Sequence, residues 1–491
     1  KRTHRAREAG GFFILRQERT SAMLVMKFGG TSVESAEAIS RVARIVATRA
    51  ADSPAVVVSA MGGVTDRLVA AGNAAAAGDR QGAADTLHSI RDRHAIAAQA
   101  LLGPQQSETI RKLEPLFEQC SELLAEIASF KTISGSRSDR LLSFGELLSS
   151  VLVADAFRAL GMPAVHVDSR DCVVTDESFT HAVPDMDRTA AATRRVMTPS
   201  LDAGCVPVMG GFIARSTRGA STTLGRGGSD FSAAIVGAAL GASRIEIWTD
   251  VDGIMTTDPR LCPEAEKIDE ISFDEAAELA YFGAKVLHPA TLIPAIDQDI
   301  PVHVLNSRNP SSTGTVIRAH AHRGRSAFRA IAVKKGVTLI NVKAPRMLMS
   351  YGYLRELFQC FEHHGVPADL VSTSEVSVSV AFDSKAKVDS LAADLRRLGR
   401  VEVEPNVAII CLVGENIRGI VGIASEVFGV VARAGVNLHM ISQGASEINI
   451  SFAVEEQSAA KAVRALHEHL FQNGHAARFM PAVSASEPAQ L

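Results

Sequence analysis

The amino-acid sequence predicts an α/β protein: a layered αβα sandwich on a mostly parallel sheet, followed by two βαββαβ units. Three observations predict it. From Met23 to about Ile317, short apolar runs alternate with stretches whose apolar residues recur at helical spacing. Further on, a unit of helix, glycine turn, strand, turn, strand and helix occurs twice. Of the 491 residues, 46% are hydrophobic and 21% charged, which supplies several cores and excludes a wholly disordered chain. At roughly 150 residues per domain, about three domains are expected.

Residues 1–22 carry six Lys or Arg around one short apolar run, Phe12 to Leu15, too short for the apolar region of a signal peptide. They read as a disordered extension. Leu24 to Phe28 is the first strand. Thr31 and Glu34 fit a capping box opening a helix in which Ile39, Val42, Ala43 and Val46 share a face. Ala55 to Ala60 is a second strand, and residues 70–130, rich in Ala, Leu and Glu, form a helical insertion. Further strands are Ala164–Val167, Val206–Met209, Arg244–Trp248 and Pro301–Leu305, with a small-residue helix from Phe231 to Ala242. Ser272 and Glu275 cap another helix. The first layered domain thus spans 23–317.

Residues 318–334 are basic and polar and read as a linker. The first repeat unit, 335–403, contains Leu354-Arg-Glu-Leu-Phe, Gly365 and the alternating strand after Ser374. The second, 404–475, contains Ser425-Glu-Val-Phe, Gly435 and the strand after Ser446. Two units are too few for a solenoid, and a paired βαββαβ module fits better. Residues 476–491 are expected to be a disordered tail.

Lys plus Arg number 51 and Asp plus Glu 54, a net charge of -3 that gives no pull toward nucleic acid or anionic membrane. No apolar run approaches the ~20 residues of a membrane-spanning helix. The six cysteines form no C-x-x-C pair, which argues against a thiolate zinc site and a secreted disulfide framework, and no metal-ligand set is assigned. Free thiols in a reducing cytoplasm are expected.

Several segments carry chemistry. In Lys27-Phe-Gly29-Gly30-Thr, a strand ends, two glycines turn the chain and a helix begins, so backbone amides and a lysine can meet an anion. An ordinary β-turn-α with a surface lysine accounts for this segment alone. Ser59-Ala-Met-Gly-Gly-Val-Thr65 repeats the arrangement. Arg226, Gly227, Gly228, Ser229 and Asp230 crowd one helix start, which packing does not require. Arg226 suits bidentate carboxylate recognition, and Asp230 can order a lysine or a metal. Thr249-Asp250-Val-Asp-Gly-Ile-Met255 to Arg260 follows a strand, where open α/β sheets bind a nucleotide base, ribose or metal. Glu146 is read at the start of an apolar helix, a common place for a dipole-stabilised carboxylate. Lys285 is read at a helix end.

Taken together, Lys27–Val33, Ser59–Asp66, Ser143–Ser149, Gly210–Ala214, Thr223–Asp230, Trp248–Arg260 and Gly283–Pro289 resemble the aspartate kinase family, with its amino-acid kinase fold. The repeated units resemble the ACT domain pair that follows such kinases. The resemblance implies ATP-dependent phosphorylation of the L-aspartate β-carboxylate, the opening step of diaminopimelate-type amino-acid biosynthesis, with Mg²⁺. It implies catalytic roles for Lys27 and Asp230. Ser59, Thr65, Glu146, Arg226, Gly227, Gly228 and Ser229 map to aspartate. Lys27, Gly29, Gly30, Thr249, Asp250, Met255, Arg260, Lys285 and Val286 map to ATP. Met255 stands where the family often has Tyr, so a softer apolar contact replaces an aromatic one.

In the first ACT-like unit, Met347, Met349, Gly352, Tyr353 and Leu354, with Asp369, Thr373, Ser374 and Glu375, resemble the effector site of lysine-sensitive members. Met349 replaces a His common there. Asp369 and Glu375 are expected to balance a lysine ammonium, and their removal to relieve inhibition without touching basal activity. A homodimer or tetramer through the ACT units is implied. The alternatives are a kinase making an acyl phosphate on glutamate or acetylglutamate, and a catalytically silent amino-acid sensor.

Overall fold

The computed structural model describes residues 23–283, 289–321, 327–347, 350–383, 387–443 and 448–472. The chain opens with β1 (Leu24–Phe28), α1 (Ala36–Ala47) and β2 (Pro54–Val58), then runs through four helices, α2 (Val64–Ala76), α3 (Arg80–Leu102), α4 (Gln106–Phe130) and α5 (Gly135–Ala159). Next come β3 (Ala164–Val167), β4 (Val174–Thr175), α6 (Met186–Asp202), β5 (Val206–Gly210), β6 (Ile213–Ser216), β7 (Ser221–Thr223), α7 (Gly228–Leu240) and β8 (Arg244–Thr249). The domain closes with β9 (Glu270–Ser272), α8 (Phe273–Tyr281), α9 (Ile293–Ile296), β10 (Val302–Asn306) and β11 (Thr315–Arg318).

Eight strands form one sheet in the order β3-β5-β2-β1-β8-β10-β11-β9, with β10–β11 the antiparallel pair among parallel neighbours. Both faces are covered, so the central strands are apolar throughout. The period of two divides them: Leu24, Met26 and Phe28 pack with α1 and α5, while Val25 packs with α6 and α7. Lys27 follows Val25 and so shares the α7 side at the strand's end. Strands β4, β6 and β7 form a small separate sheet.

Two local expectations are corrected. The N-cap of α1 is Ser35, whose side chain accepts from Ala38 N, and a short 3-10 turn, Gly30–Ser32, precedes it in place of a Thr31–Glu34 box. Glu146 lies in the middle of the 25-residue helix α5, not in its first turn. The helix start is at Ser134, which caps Arg137 N. The Ser272–Glu275 capping box is present at α8.

The C-terminal half is a six-stranded antiparallel sheet with helices: β12 (Phe328–Lys343), α10 (Tyr353–His363), β13 (Leu370–Thr373), β14 (Ser377–Phe382), α11 (Val388–Leu395), β15 (Arg400–Gly414), α12 (Ile423–Arg433), β16 (Met440–Ser442), β17 (Asn449–Glu455) and α13 (Glu456–His467). Its order is β13-β14-β12-β15-β17-β16. The long strands β12 and β15 pair along both halves, with register shifts between Lys334 and Leu339. Phe328 and Ile331 join the core of α12 and α13, whereas Ile340 and Val342 join that of α10 and α11. The two units therefore interleave. The segment expected as linker to residue 334 is strand from Phe328 onward, because Phe328, Ala330, Ile331 and Ala332 are buried apolar residues paired against β15.

The two halves are tied. Ile331 N donates to Thr256 O (2.7 Å), Thr257 Oγ1 donates to Ile331 O (2.9 Å), and Thr256 Oγ1 lies 2.9 Å from His467 Nε2. Asn449 Nδ2 donates to Glu278 on α8 (2.6 Å). No helix among the described residues is long and apolar enough to cross a membrane.

Candidate active site

The carboxyl ends of β5, β2, β1, β8 and β10 lie side by side, and their loops build the site. Lys27 near the end of β1 and Asp230 in the first turn of α7 form an ion pair, Nζ to Oδ1 2.7 Å, with side chains 11% and 13% exposed. The glycines permit close approach of these loops. Gly30, the first residue of the 3-10 turn, crosses the β2 loop so tightly that a Cβ would lie 3.0 Å from Ala60 O, and Gly62 N donates to Gly30 O. A Cβ on Gly210 would lie 2.8 Å from Glu146 Cβ, and one on Gly211 would lie 2.7 Å from Ser229 Cα. The Gly210-Gly211 pair thus brings α5 and the start of α7 together over the end of β5.

Glu146 is buried there. Its Oε1 accepts from Ala60 N (3.1 Å), while Oε2 is buried with no hydrogen-bond partner among the described residues. Burial pushes its pKa up to about 8, against the opposing pull of the Ala60 N–H and the Lys27 charge. Thr65, on the first turn of α2, is close by: a Cβ on Gly145 would lie 3.8 Å from its hydroxyl. Ser59 O accepts from Ser149 Oγ (2.8 Å), which docks α5 on the β2 loop. Gly227 is left-handed at the head of α7, and Arg226 beside it is exposed.

On the β8 side, Thr249 O accepts from Ser307 N (2.8 Å) and Ser307 Oγ (3.0 Å), and Thr249 Oγ1 donates to Asp250 (3.3 Å). Met255 is half-buried. Arg260 is exposed and held by Asp258, Nη2 to Oδ2 2.7 Å. Lys285 and Val286 lie outside the described residues. Sequence reasoning passed over Asn306 and Ser307 at the end of β10. Asn306 Nδ2 donates to Asp252 (2.9 Å) and Ser307 Oγ receives a bond from Ser32 (2.8 Å), so both join the β1 and β8 loops. The available signal was position, since Pro301–Leu305 reads as a strand and the residues after it stand at its carboxyl end.

The effector residues fall in two places. Met347 is half-buried, Gly352 is left-handed at the N-cap of α10, and Tyr353 and Leu354 open that helix. Across β13, Asp369 is buried and paired with Lys334 (2.7 Å) and with the Tyr281 hydroxyl of α8 (3.3 Å). Thr373 ends β13, Ser374 Oγ lies 2.7 Å from Ser377 Oγ, and Glu375 is exposed. The strand between Asp369 and Glu375 separates their backbones by roughly 15–20 Å, so within one protomer they are not brought together on one ammonium. Met349 lies outside the described residues. No three His, Cys, Asp or Glu among the described residues group as metal ligands.

Residues 22–306 match the model of the amino acid kinase family, and residues 410–470 match an ACT domain. Lysine-sensitive aspartokinase 3 of Escherichia coli (strain K12) is 40% identical over 461 residues, covering 92% of this chain and 100% of the relative. The crystal structure of E. coli aspartokinase III in complex with aspartate and ADP (R-state) superposes with a TM-score of 0.79 at 39% identity, over 92% of this chain and 100% of that one. The same enzyme in complex with lysine and aspartate (T-state) matches with the same TM-score of 0.79, identity of 39% and coverage of 92% and 100%. Sheet, strand-end loops and regulatory half all fall within these matches, and the chain belongs to the amino acid kinase family, in its aspartokinase branch.

Proposed function

We propose that the chain transfers the γ-phosphoryl group of ATP to the β-carboxylate of L-aspartate, with Lys27 neutralising the transferred group. The buried Lys27–Asp230 pair at 2.7 Å, at the meeting of the glycine-lined strand ends, carries this reading. Aspartate is a ready nucleophile, since a carboxylate of pKa ~3.9 is ionised at neutral pH and needs no general base. The obstacle is bringing an anion to a polyanion, and fixed positive charge with in-line positioning overcomes it. Asp230 fixes the Lys27 ammonium. Arg226, Gly227, Gly228 and Ser229 take the aspartate α-carboxylate, Glu146 its ammonium, and Ser59 and Thr65 line the same side. The buried Glu146 Oε2 without a partner supports this, because an ammonium would both satisfy it and drive the carboxyl to ionise. Gly29, Gly30, Thr249, Asp250, Met255, Arg260, Lys285 and Val286 take the nucleotide.

Asp230 and Asp250, single carboxylates rather than a cage, would hold Mg²⁺ brought with the nucleotide, and it would supply charge neutralisation on the phosphates. The lysine-bound E. coli relative supports lysine as feedback effector, received by residues 347–354, with Met349, and 369–375. The separation of Asp369 from Glu375 supports a site completed across a homodimer or tetramer of ACT units. Unpaired buried thiols, such as Cys120 and Cys411, fit a reducing cytoplasm. A coupled ATP assay with aspartate, glutamate and acetylglutamate tests the substrate. Turnover with aspartate alone is expected, preference for either other acid would overturn the assignment, and no turnover with any would favour a silent sensor.

A further inference from the structure

We infer that Asp139 is a positioning residue for aspartate, acting through the loop that carries Arg226. Asp139 lies on α5 seven residues before Glu146, so the two share a helix face two turns apart. Its side chain is fully buried, and its hydrogen bonds go to residues outside the set assigned to substrate. Instead it binds two loops. Both carboxylate oxygens accept from Thr180 N (3.0 Å each). Oδ2 accepts from Thr223 N (3.0 Å) and Oδ1 from Thr223 Oγ1 (2.8 Å). All of these partners are donors, so the arrangement is built for the acceptor-only carboxylate.

The two loops enclose the start of the Arg226 segment. Thr180 has φ +75°, a left-handed conformation that a β-branched residue rarely adopts, and the Asp139 bond is made to its own N–H. Thr180 O in turn stands against Gly225, where a Cβ would lie 3.1 Å from it, and Ala182 N donates to Thr223 O (2.9 Å). Thr223 to Gly225 is thereby held from both sides, and Arg226 follows directly. Arg226 is exposed, so its reach to a substrate depends on where this short stem is fixed. Strain at Thr180 held by a buried carboxylate is hard to account for by core packing, where an apolar side chain would serve better.

This inference rests on the reading that Arg226 meets the aspartate α-carboxylate, and kinetics of the full chain separate the two. Asp139→Asn keeps the size but turns an amide donor toward groups that all donate. It is expected to lower kcat/KM for aspartate roughly 10- to 100-fold, with ATP KM within about twofold. Thr223→Val, which removes one donor, should move aspartate kinetics the same way, and Thr223→Ser should restore them. In the double variant Asp139→Asn/Arg226→Ala, the loss should not exceed that of Arg226→Ala alone. If Arg226→Ala leaves aspartate use unchanged, the underlying reading falls. If Arg226→Ala is damaging while Asp139→Asn leaves aspartate kcat/KM within about twofold, or while the two losses multiply, this inference alone falls. Should Asp139→Asn not fold, Thr223→Val and Thr223→Ser decide by the same criterion.

Discussion

Lys27 and Asp230 hold each other in a nearly closed site, and their energetics follow from that. Removing one partner of such a pair leaves a charge with little water around it. Lys27→Ala is expected to lower kcat by about three orders of magnitude or more, since the charge that meets the phosphoryl group is lost. It should also lower the unfolding midpoint, and Lys27→Ala/Asp230→Ala should recover part of that loss. Steady-state kinetics and urea unfolding check both, and a folded Lys27→Ala protein with near-normal turnover would remove Lys27 from the chemistry.

Glu146 gives a pH dependence with a definite sign. Its folded pKa, about 8, lies above the ordinary 4.5, so the folded chain binds more protons than the unfolded chain between those values. Without substrate, stability contributed by this group is full below about 4.5 and falls as the pH rises toward 8. Comparing urea midpoints at pH 6 and pH 8.5, the native chain should lose more stability than Glu146→Gln, by a few kcal/mol at most. Parallel curves would mean that the carboxyl is ionised throughout. Aspartate binding near pH 7 should release a proton from Glu146, visible in calorimetry as a dependence on buffer ionisation enthalpy.

At the scale of elements, the legible parts were those with a single physical cause. Short apolar runs matched the central strands to within two residues, because strands buried on both faces are apolar throughout. The α8 capping box was legible because both partners are local. Glu146 was misplaced because sequence shows a glutamate before an apolar run, whereas the helix already begins at Ser134, eleven residues before Gly145. Thr31 lost its role as a cap because Ser35 offers the same chemistry four residues later. Asp139 was invisible, since it acts through a partner far along the chain, Thr223, and Ser307 was marked only by its place at a strand end, because its partner Ser32 is equally remote. The Gly210-Gly211 pair was legible as a motif, but its cause is an approach between two helices. Gly211→Ala would push a methyl to 2.7 Å from the Ser229 backbone, which cannot yield without moving α7. It should cost about 1–3 kcal/mol and raise the aspartate KM, and unchanged values for both would mean that α7 shifts freely.

Over the whole molecule, the regulatory sheet and the kinase domain share hydrogen bonds at the loop after β8 and along α8, and this changes what a regulatory substitution should do. Sequence alone places Asp369 and Glu375 in one class, since both are acids of the effector segment outside the kinase domain. Their surroundings divide them. Glu375 is exposed, and its charge is open to a ligand or a second protomer. Asp369 is buried, paired with Lys334 and in contact with the Tyr281 hydroxyl at the end of α8. Glu375→Gln should therefore weaken lysine inhibition and leave activity without lysine unchanged. Asp369→Asn should weaken lysine inhibition and also alter uninhibited turnover or ATP KM, because it unseats Lys334 and the link to α8 that precedes the nucleotide segment. Coupling of about 1–3 kcal/mol is typical of such paired sites, so shifts of roughly 5- to 150-fold in the inhibitory lysine concentration are in range. Lysine titrations of both variants, each with aspartate and ATP saturation curves, separate the classes. Identical behaviour of the two would mean that the Asp369–Tyr281 contact carries nothing between the halves.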